Sequence, residues 1–208
     1  MKHMQPTMPS NVERGQRGQC ARVLADAFTD DAIWNELRPR STRRAGSALY
    51  LFFWGEVAIC ARSGGYLQAT FDADGRVTGA LIAYERTGPR FPWWVWLFRI
   101  PAILVLGPAR TVKMARMLGN LEDTHPVGPH IYFWYVGSRV LGGGAALFKR
   151  VMKVARAKNL PCYGEAKGIG VAEMCEILGW QVLEPVDLGY GHSVAPVAWT
   201  PGDRAVLR

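Results

Sequence analysis

Three consecutive glycines, Gly142-Gly143-Gly144, join an aromatic, strand-like run (His130-Ile131-Tyr132-Phe133-Trp134-Tyr135-Val136) to a segment with helical periodicity from Ala145 to Lys158. The first N–H groups of a helix have no intrahelical acceptor, and its dipole places roughly half a positive charge there. Glycine removes the Cβ atoms that would hold an anion away from that backbone. A strand that feeds a helix through such a turn commits this part of the chain to an α/β layer. It also makes the turn a candidate anion cradle, built from Arg139 and the backbone of Leu141, Gly142, Gly143, Gly144 and Ala145. The competing reading is a purely structural turn with Arg139 solvated.

The flanking sequence supplies the rest of the layers. Cys20, Leu24, Ala27 and Phe28 share one helical face, so residues 14–28 read as an amphipathic helix. Asp30-Asp31 is placed to cap a short helix near Ile33-Trp34-Leu37, and Leu49, Phe53, Val57 and Cys60 continue a helix to about Arg62. Tyr66–Phe71, the turn Asp72-Ala73-Asp74-Gly75 and Val77–Tyr84 read as a hairpin. Pro108 opens a helix with Met114, Met117, Leu118 and Leu121 on one face. After the 145–158 helix come a strand over 161–165, a helix over 171–178, and two closing strands near 180–188 and 192–199. Helices first, then a hairpin, then alternating strands and helices predict one α/β domain over residues 1–208. Its mixed, mostly antiparallel, twisted sheet is flanked by helices. The first ten residues are expected to be loosely ordered or disordered.

The balance of charge is basic, formally +8 over 208 residues, which suits an anionic partner such as a nucleotide cofactor or an anionic surface. No zinc pattern or basic zipper is present, so nucleic acid is not the expected partner. Four cysteines lack metal-ligand spacing and no secretory apolar segment precedes them, so the reading is a cytoplasmic protein with reduced thiols and no metal. The run Phe91–Gly107 holds Arg99 and two prolines within 17 residues, too short and too interrupted for a transmembrane span. It reads as a buried helix, as an apolar lid whose Trp93, Trp94 and Trp96 wall an acceptor pocket, or as a membrane-surface or homodimer patch.

Longer motifs carry a resemblance. Arg139-Val140-Leu141-Gly142-Gly143-Gly144 fits the pattern Gln/Arg-x-x-Gly-x-Gly/Ala. Asn159 to Ala166, Leu178-Gly179-Trp180 and Leu24-Ala25-Asp26-Ala27-Phe28 also match, so the chain resembles the GNAT superfamily of acyl-CoA-dependent N-acyltransferases. Within it, the puromycin N-acetyltransferase-like group is the most similar. The resemblance is strong in the last third of the chain and faint between residues 85 and 125. It implies acetyl-CoA or another acyl-CoA as donor, a small-molecule amine as acceptor, and a pyrophosphate on the 139–145 turn. It also implies an oxyanion contact at the backbone of Val136.

The departures from that pattern are specific. The segment between Val136 and Arg139 is shorter than in the family. Val171 replaces an Asn that touches the cofactor, Cys175 replaces the Tyr that protonates the leaving thiolate, and Trp134 replaces a strand Glu. Acyl transfer from a thioester still needs an uncharged amine, a stabilised oxyanion and a departing thiolate. Glu165 is the carboxylate that remains at a family position, as a base through water or, alternatively, as a partner of Lys167. Cys175 is a candidate proton donor or a packed apolar group, and His192 a candidate acid or base. Tyr132 and Trp134 are candidate substrate contacts or core. A repurposed site with CoA-independent isomerase, cyclase or lyase chemistry is the alternative function, and a non-catalytic binding protein the third.

Overall fold

The computed structural model describes residues 10–86, 92–122 and 124–202. In chain order they form strand β1 (Ser10–Asn11), a 3-10 turn (Arg14–Gln16), α1 (Arg17–Ala27), α2 (Ala32–Leu37), α3 (Thr42–Arg62), β2 (Tyr66–Phe71) and β3 (Val77–Arg86). There follow α4 (Val95–Leu106), α5 (Pro108–Glu122), β4 (His130–Ser138), α6 (Gly143–Lys158), β5 (Cys162–Ala166) and α7 (Ile169–Ile177). The chain closes with β6 (Gln181–Val182), β7 (Val186–Gly189) and β8 (His192–Trp199). One sheet runs in the order β1-β2-β3-β4-β5-β8-β6, with β7 also paired to β8. Among the described residues only the β4–β5 pair is parallel.

Apolar side chains cover both faces of this sheet, and β3 shows why its sequence is an unbroken apolar run. Ala80, Ile82 and Tyr84 pack with α1 and α3 on one face, while Leu81 and Ala83 pack with α6 on the other. Asp31 caps α2 as expected, accepting from the Trp34 N–H at 2.8 Å.

Two expectations are corrected. The segment 180–188 is not one strand: β6 and β7 are separate, and Pro185 between them has no N–H to carry a ladder. Ser10 pairs with Ala69 at the sheet edge. Residues 1–9 lie outside the described residues. The helix after the glycine turn begins two residues early, at Gly143, so the turn itself is only 139–142.

Candidate active site

The site is made by a defect in β4. Tyr135 pairs with Ile82 and Phe133 with Ala83, so Trp134 is an extra residue, a β-bulge that bends the strand. On its other side, β4 pairs with β5 only from Ile131–Cys162 to Phe133–Gly164. Beyond that point the two strands part. The gap opens into a cavity of 620 Å³ whose walls include Trp134, Val136 and Ser138 from β4, Glu165 from β5, and Gly144 at the start of α6.

At one end of this cavity lies the glycine turn. Gly142 holds φ at +78°, a left-handed conformation that would cost another residue about 1–2 kcal/mol. The Gly143 N–H is bonded to the Val140 carbonyl at 3.1 Å, so this amide is committed to the turn. A Cβ at Gly143 would stand 2.2 Å from Ser138 Oγ, which in turn donates to the Val140 carbonyl at 2.9 Å. Among the described residues no acceptor takes the N–H groups of Leu141, Gly142, Gly144 or Ala145. The turn is therefore braced from behind and bare in front. The short 136–139 segment does not pull it out of reach, because β4 itself runs on to Ser138 and pairs with Gly79.

Arg139 is engaged sideways. Its guanidinium pairs with Asp26 on α1, with Nε 3.0 Å from Oδ2, which ties the turn to the first helix. Sequence reading considered this residue as a phosphate contact or a solvated one, and its ion pair is a third role.

At the centre of the cavity, Glu165 accepts a hydrogen bond of 2.8 Å from the Tyr132 hydroxyl. Burial, and then the charge of Glu165, raise the Tyr132 pKa well above 10, so the phenol keeps its proton and donates. Lys167 does not pair with Glu165. Its ammonium reaches both carboxylate oxygens of Asp31 at 2.7 Å, joining β5 to the N-cap of α2 along the cavity wall. Trp134, in the position where a strand Glu was expected by resemblance, donates its indole N–H to Glu56 Oε2 at 2.9 Å.

Beside Glu165 lies a histidine chain that no sequence motif announces. Arg86 Nη1 stands 3.3 Å from His125 Nε2, His125 Nδ1 is 3.4 Å from His130 Nε2, and His130 Nδ1 is 2.9 Å from the Gly128 carbonyl. Since arginine can only donate, one direction satisfies all three: each histidine accepts at Nε2 and donates at Nδ1, and both are neutral. Burial, then the charge of Arg86, pushes the His125 pKa down to about 4, and burial lowers that of His130 as well. Glu165 Oε1 stands 3.9 Å from His125 Nε2.

A pH dependence of stability follows. A histidine neutral when folded but titrating near 6.5 when unfolded stabilises the fold above pH 6.5. That contribution is lost as the pH falls from 6.5 towards 4. For His125 the loss is at most about 3 kcal/mol, at about 1.36 kcal/mol per pKa unit. Denaturant unfolding across this range should show the decline, and His125→Gln should flatten it. The stabilisation from the lowered carboxyls of Glu36 and Glu85 is lost only below about pH 4.5, so the decline between pH 6.5 and 4.5 is free of it. An equally steep profile in the variant would remove the histidine chain as its cause.

The remaining candidates are divided. Cys175 lies in the cavity wall, and burial pushes its thiol up to about 11. Val171, Tyr132 and Trp134 also line the cavity. His192 starts β8 and does not, and neither do Trp93, Trp94 or Trp96, which lie at or beside α4. The apolar wall comes instead from an aromatic cluster and from one face of α5. Phe28, Phe52, Phe53 and Tyr135 form a cluster of rings 5.1–5.8 Å apart. Met114, Met117, Leu118 and Leu121 of α5 face the same space. Among the described residues, no group of three or more His, Cys, Asp or Glu side chains is placed to hold a metal ion.

No protein-family profile matches the chain, and no curated protein matches it in sequence. Solved structures do. One is the histone acetyltransferase HPA2 and related acetyltransferase of Corynebacterium glutamicum, with a TM-score of 0.70 and 22% identity over 95% of this chain and 97% of that one. A second is the polyamine N-acetyltransferase of Drosophila melanogaster that forms N-acetylagmatine, with a TM-score of 0.65 and 12% identity over 94% and 100%. A third is arylalkylamine N-acetyltransferase 2 of Aedes aegypti, with a TM-score of 0.54 and 13% identity over 92% and 97%.

Proposed function

We propose that this chain, whose fold is that of the GNAT N-acetyltransferases, is an acyl-CoA-dependent N-acyltransferase acting on the amine of a small apolar or aromatic molecule. One observation supports the reading: Gly144, whose amide is bare at the start of α6, and Glu165 line the same cavity, across the gap between β4 and β5.

The bare amides of Leu141, Gly142, Gly144 and Ala145, at the positive end of α6, fit a diphosphate. Exposed Lys149 and Lys153 on that helix suit further phosphate charge. Acyl-CoA would supply the activated acyl thioester. The backbone at Val136, on the parted half of β4, is placed to donate to an oxyanion in the cavity. Glu165 is the base that takes a proton from the incoming ammonium, directly or through one water, while Tyr132 holds its carboxylate in place. Cys175 is a poor acid for this site, because at about 11 it holds its proton more tightly than an ordinary thiol near 8.5. Departure of a thiolate needs little help, since it is already a good leaving group.

The four-ring cluster and the methionine-rich face of α5 favour an apolar acceptor. Of the carboxylates in the wall, Asp31 is neutralised by Lys167, Asp30 is a further acidic group, and the ring cluster offers an arylalkylamine an apolar slot.

The direct test is thiol release from acetyl-, propionyl- and longer acyl-CoA with a panel of aryl- and alkylamines. Transfer to arylalkylamines in preference to polyamines is the expected result. CoA alone should also stabilise the fold: at a concentration 100 times its Kd, by about 2.7 kcal/mol. Gly142→Val should fold with a loss of about 1–2 kcal/mol from its positive φ. It should also weaken CoA binding tenfold or more, since a hydrogen bond to a charged group contributes about 1.5–3 kcal/mol. If CoA produces no thermal shift, the fold serves CoA-independent chemistry or simple binding instead.

A further inference from the structure

Helix α4 is turned inside out. Val95, Ala102 and Leu106 are buried against the rest of the protein, and Gly55 of α3 lies so close that a Cβ there would stand 2.5 Å from the Phe98 carbonyl oxygen. The opposite face, where a surface helix ordinarily carries charge, is apolar. Trp93, Trp96, Leu97, Ile100 and Leu104 are all exposed, Trp93 by 76% and Leu104 by 77%. At about 100° per residue these positions fall within an arc of about 100°. Trp54 of α3 is a further exposed indole. The stripe contributes nothing to the cavity described above.

Its surroundings carry one sign of charge. Leu104, the end of the stripe, also lines a crevice of 480 Å³ with Arg40, Arg44 and Arg110. Among the described residues none of these three arginines is ion-paired with a carboxylate. Between residues 38 and 55, and again between 92 and 120, the sequence contains no Asp or Glu at all. The acid that α3 does hold, Glu56, is fully buried and engaged by Arg99. Guanidinium groups also lie over the rings of Trp94 (Arg62, 5.7 Å) and Trp96 (Arg99, 5.5 Å).

We infer that α4 is a membrane-surface docking element whose partner is an anionic phospholipid bilayer. The stripe enters the headgroup–acyl boundary, and the Arg40–Arg44–Arg110 crevice takes lipid phosphates. Indoles and long aliphatic side chains on one face, with arginines at its border, match that interface. No helix of the described residues is long and apolar enough to cross a bilayer, so the contact is superficial. The carboxylate-free surround selects an anionic over a neutral surface, and each basic residue near such a surface is worth about fivefold in binding.

Cosedimentation of the full chain with phosphatidylcholine vesicles, with and without phosphatidylglycerol, tests this. The expected result is binding to the anionic vesicles that weakens with salt. The triple variant R40Q/R44Q/R110Q should weaken it about 100-fold, and W93S/W96S/L104S at least tenfold. Both variants should keep the circular dichroism and melting temperature of the parent within a few degrees. Equal binding to neutral vesicles, no binding at all, or variants that bind as the parent does would overturn the inference. So would a concentration-dependent dimer of the parent that W93S/W96S/L104S abolishes, since the stripe would then be covered by a second copy.

Discussion

Glu165→Gln lowers kcat at neutral pH by about 10²- to 10⁴-fold, the usual effect of removing a positioned base. An alkylammonium of pKa near 10 must lose its proton before nitrogen can attack a thioester, and Glu165 is a carboxylate in the wall of the cavity that Gly144 also lines. Glutamine keeps the volume, and its carbonyl can still accept from the Tyr132 hydroxyl, so the wall retains its shape. What it loses is the ability to hold a proton. KM for both substrates should therefore move little while kcat falls, the pattern of an interaction made only on the way to the transition state.

The pH profile separates this from a merely structural role. Raising the pH deprotonates the free amine in solution, so the variant should recover towards the parent at alkaline pH. A structural defect gives a loss that stays constant with pH. The neighbours are not substitutes for the missing base: Tyr132 keeps its proton, and His125 lies beside Glu165 and is neutral but already accepts from Arg86 at Nε2. A loss of less than about tenfold at pH 7 would sink the assignment. The CoA thermal shift would stand unaffected by that outcome.

The two ends of the site differ in how far the sequence announces them. The cradle is local: three glycines between a strand and a helix state their conformation within a few residues, and the positive φ of Gly142 and the bare amides follow from that alone. The hairpin 66–84 and most helix positions are legible for the same reason, since period-2 and period-3.6 patterns are short-range. The acceptor end is assembled from distant places. Phe28, Phe52, Phe53 and Tyr135 come from the end of α1, from α3 and from the bent half of β4. Nothing in a helical run of aromatics says whether its rings close a core or line a slot. The bulge at Trp134 decides it, and a bulge has no signature in a strand of large apolar residues. The tryptophans at 93, 94 and 96 stand out in sequence as pocket material, yet they do not line the cavity, because α4 buries Val95, Ala102 and Leu106 and sets its Phe98 backbone against Gly55 of α3. The Arg86–His125–His130 chain joins residues up to 44 positions apart and likewise leaves no motif.

Arg99→Met should destabilise the protein by about 3–5 kcal/mol, the cost of leaving one buried charge without its partner. Glu56 is 0% exposed, in the middle of α3. Arg99 Nε donates to its Oε1 at 2.8 Å and the Trp134 indole to its Oε2 at 2.9 Å. Without the guanidinium, an ionised carboxylate would remain among Cys60, Tyr84 and Tyr135, whose own acid groups already feel its charge. Glu56→Leu in the same background should recover part of the loss, because an apolar replacement of a buried pair is often close to neutral. The recovery is incomplete, since the indole N–H of Trp134 then lacks this acceptor, at about 1–3 kcal/mol. Equilibrium unfolding of the single and double variants measures both terms. A single variant within about 1 kcal/mol of the parent would overturn the assignment of this pair as a stabilising buried contact. The same carboxylate holds Trp134, so the double variant has a second readout. With Trp134 released from α3, the bulged wall of the cavity loosens, and KM for an aromatic acceptor should rise more than KM for the acyl donor.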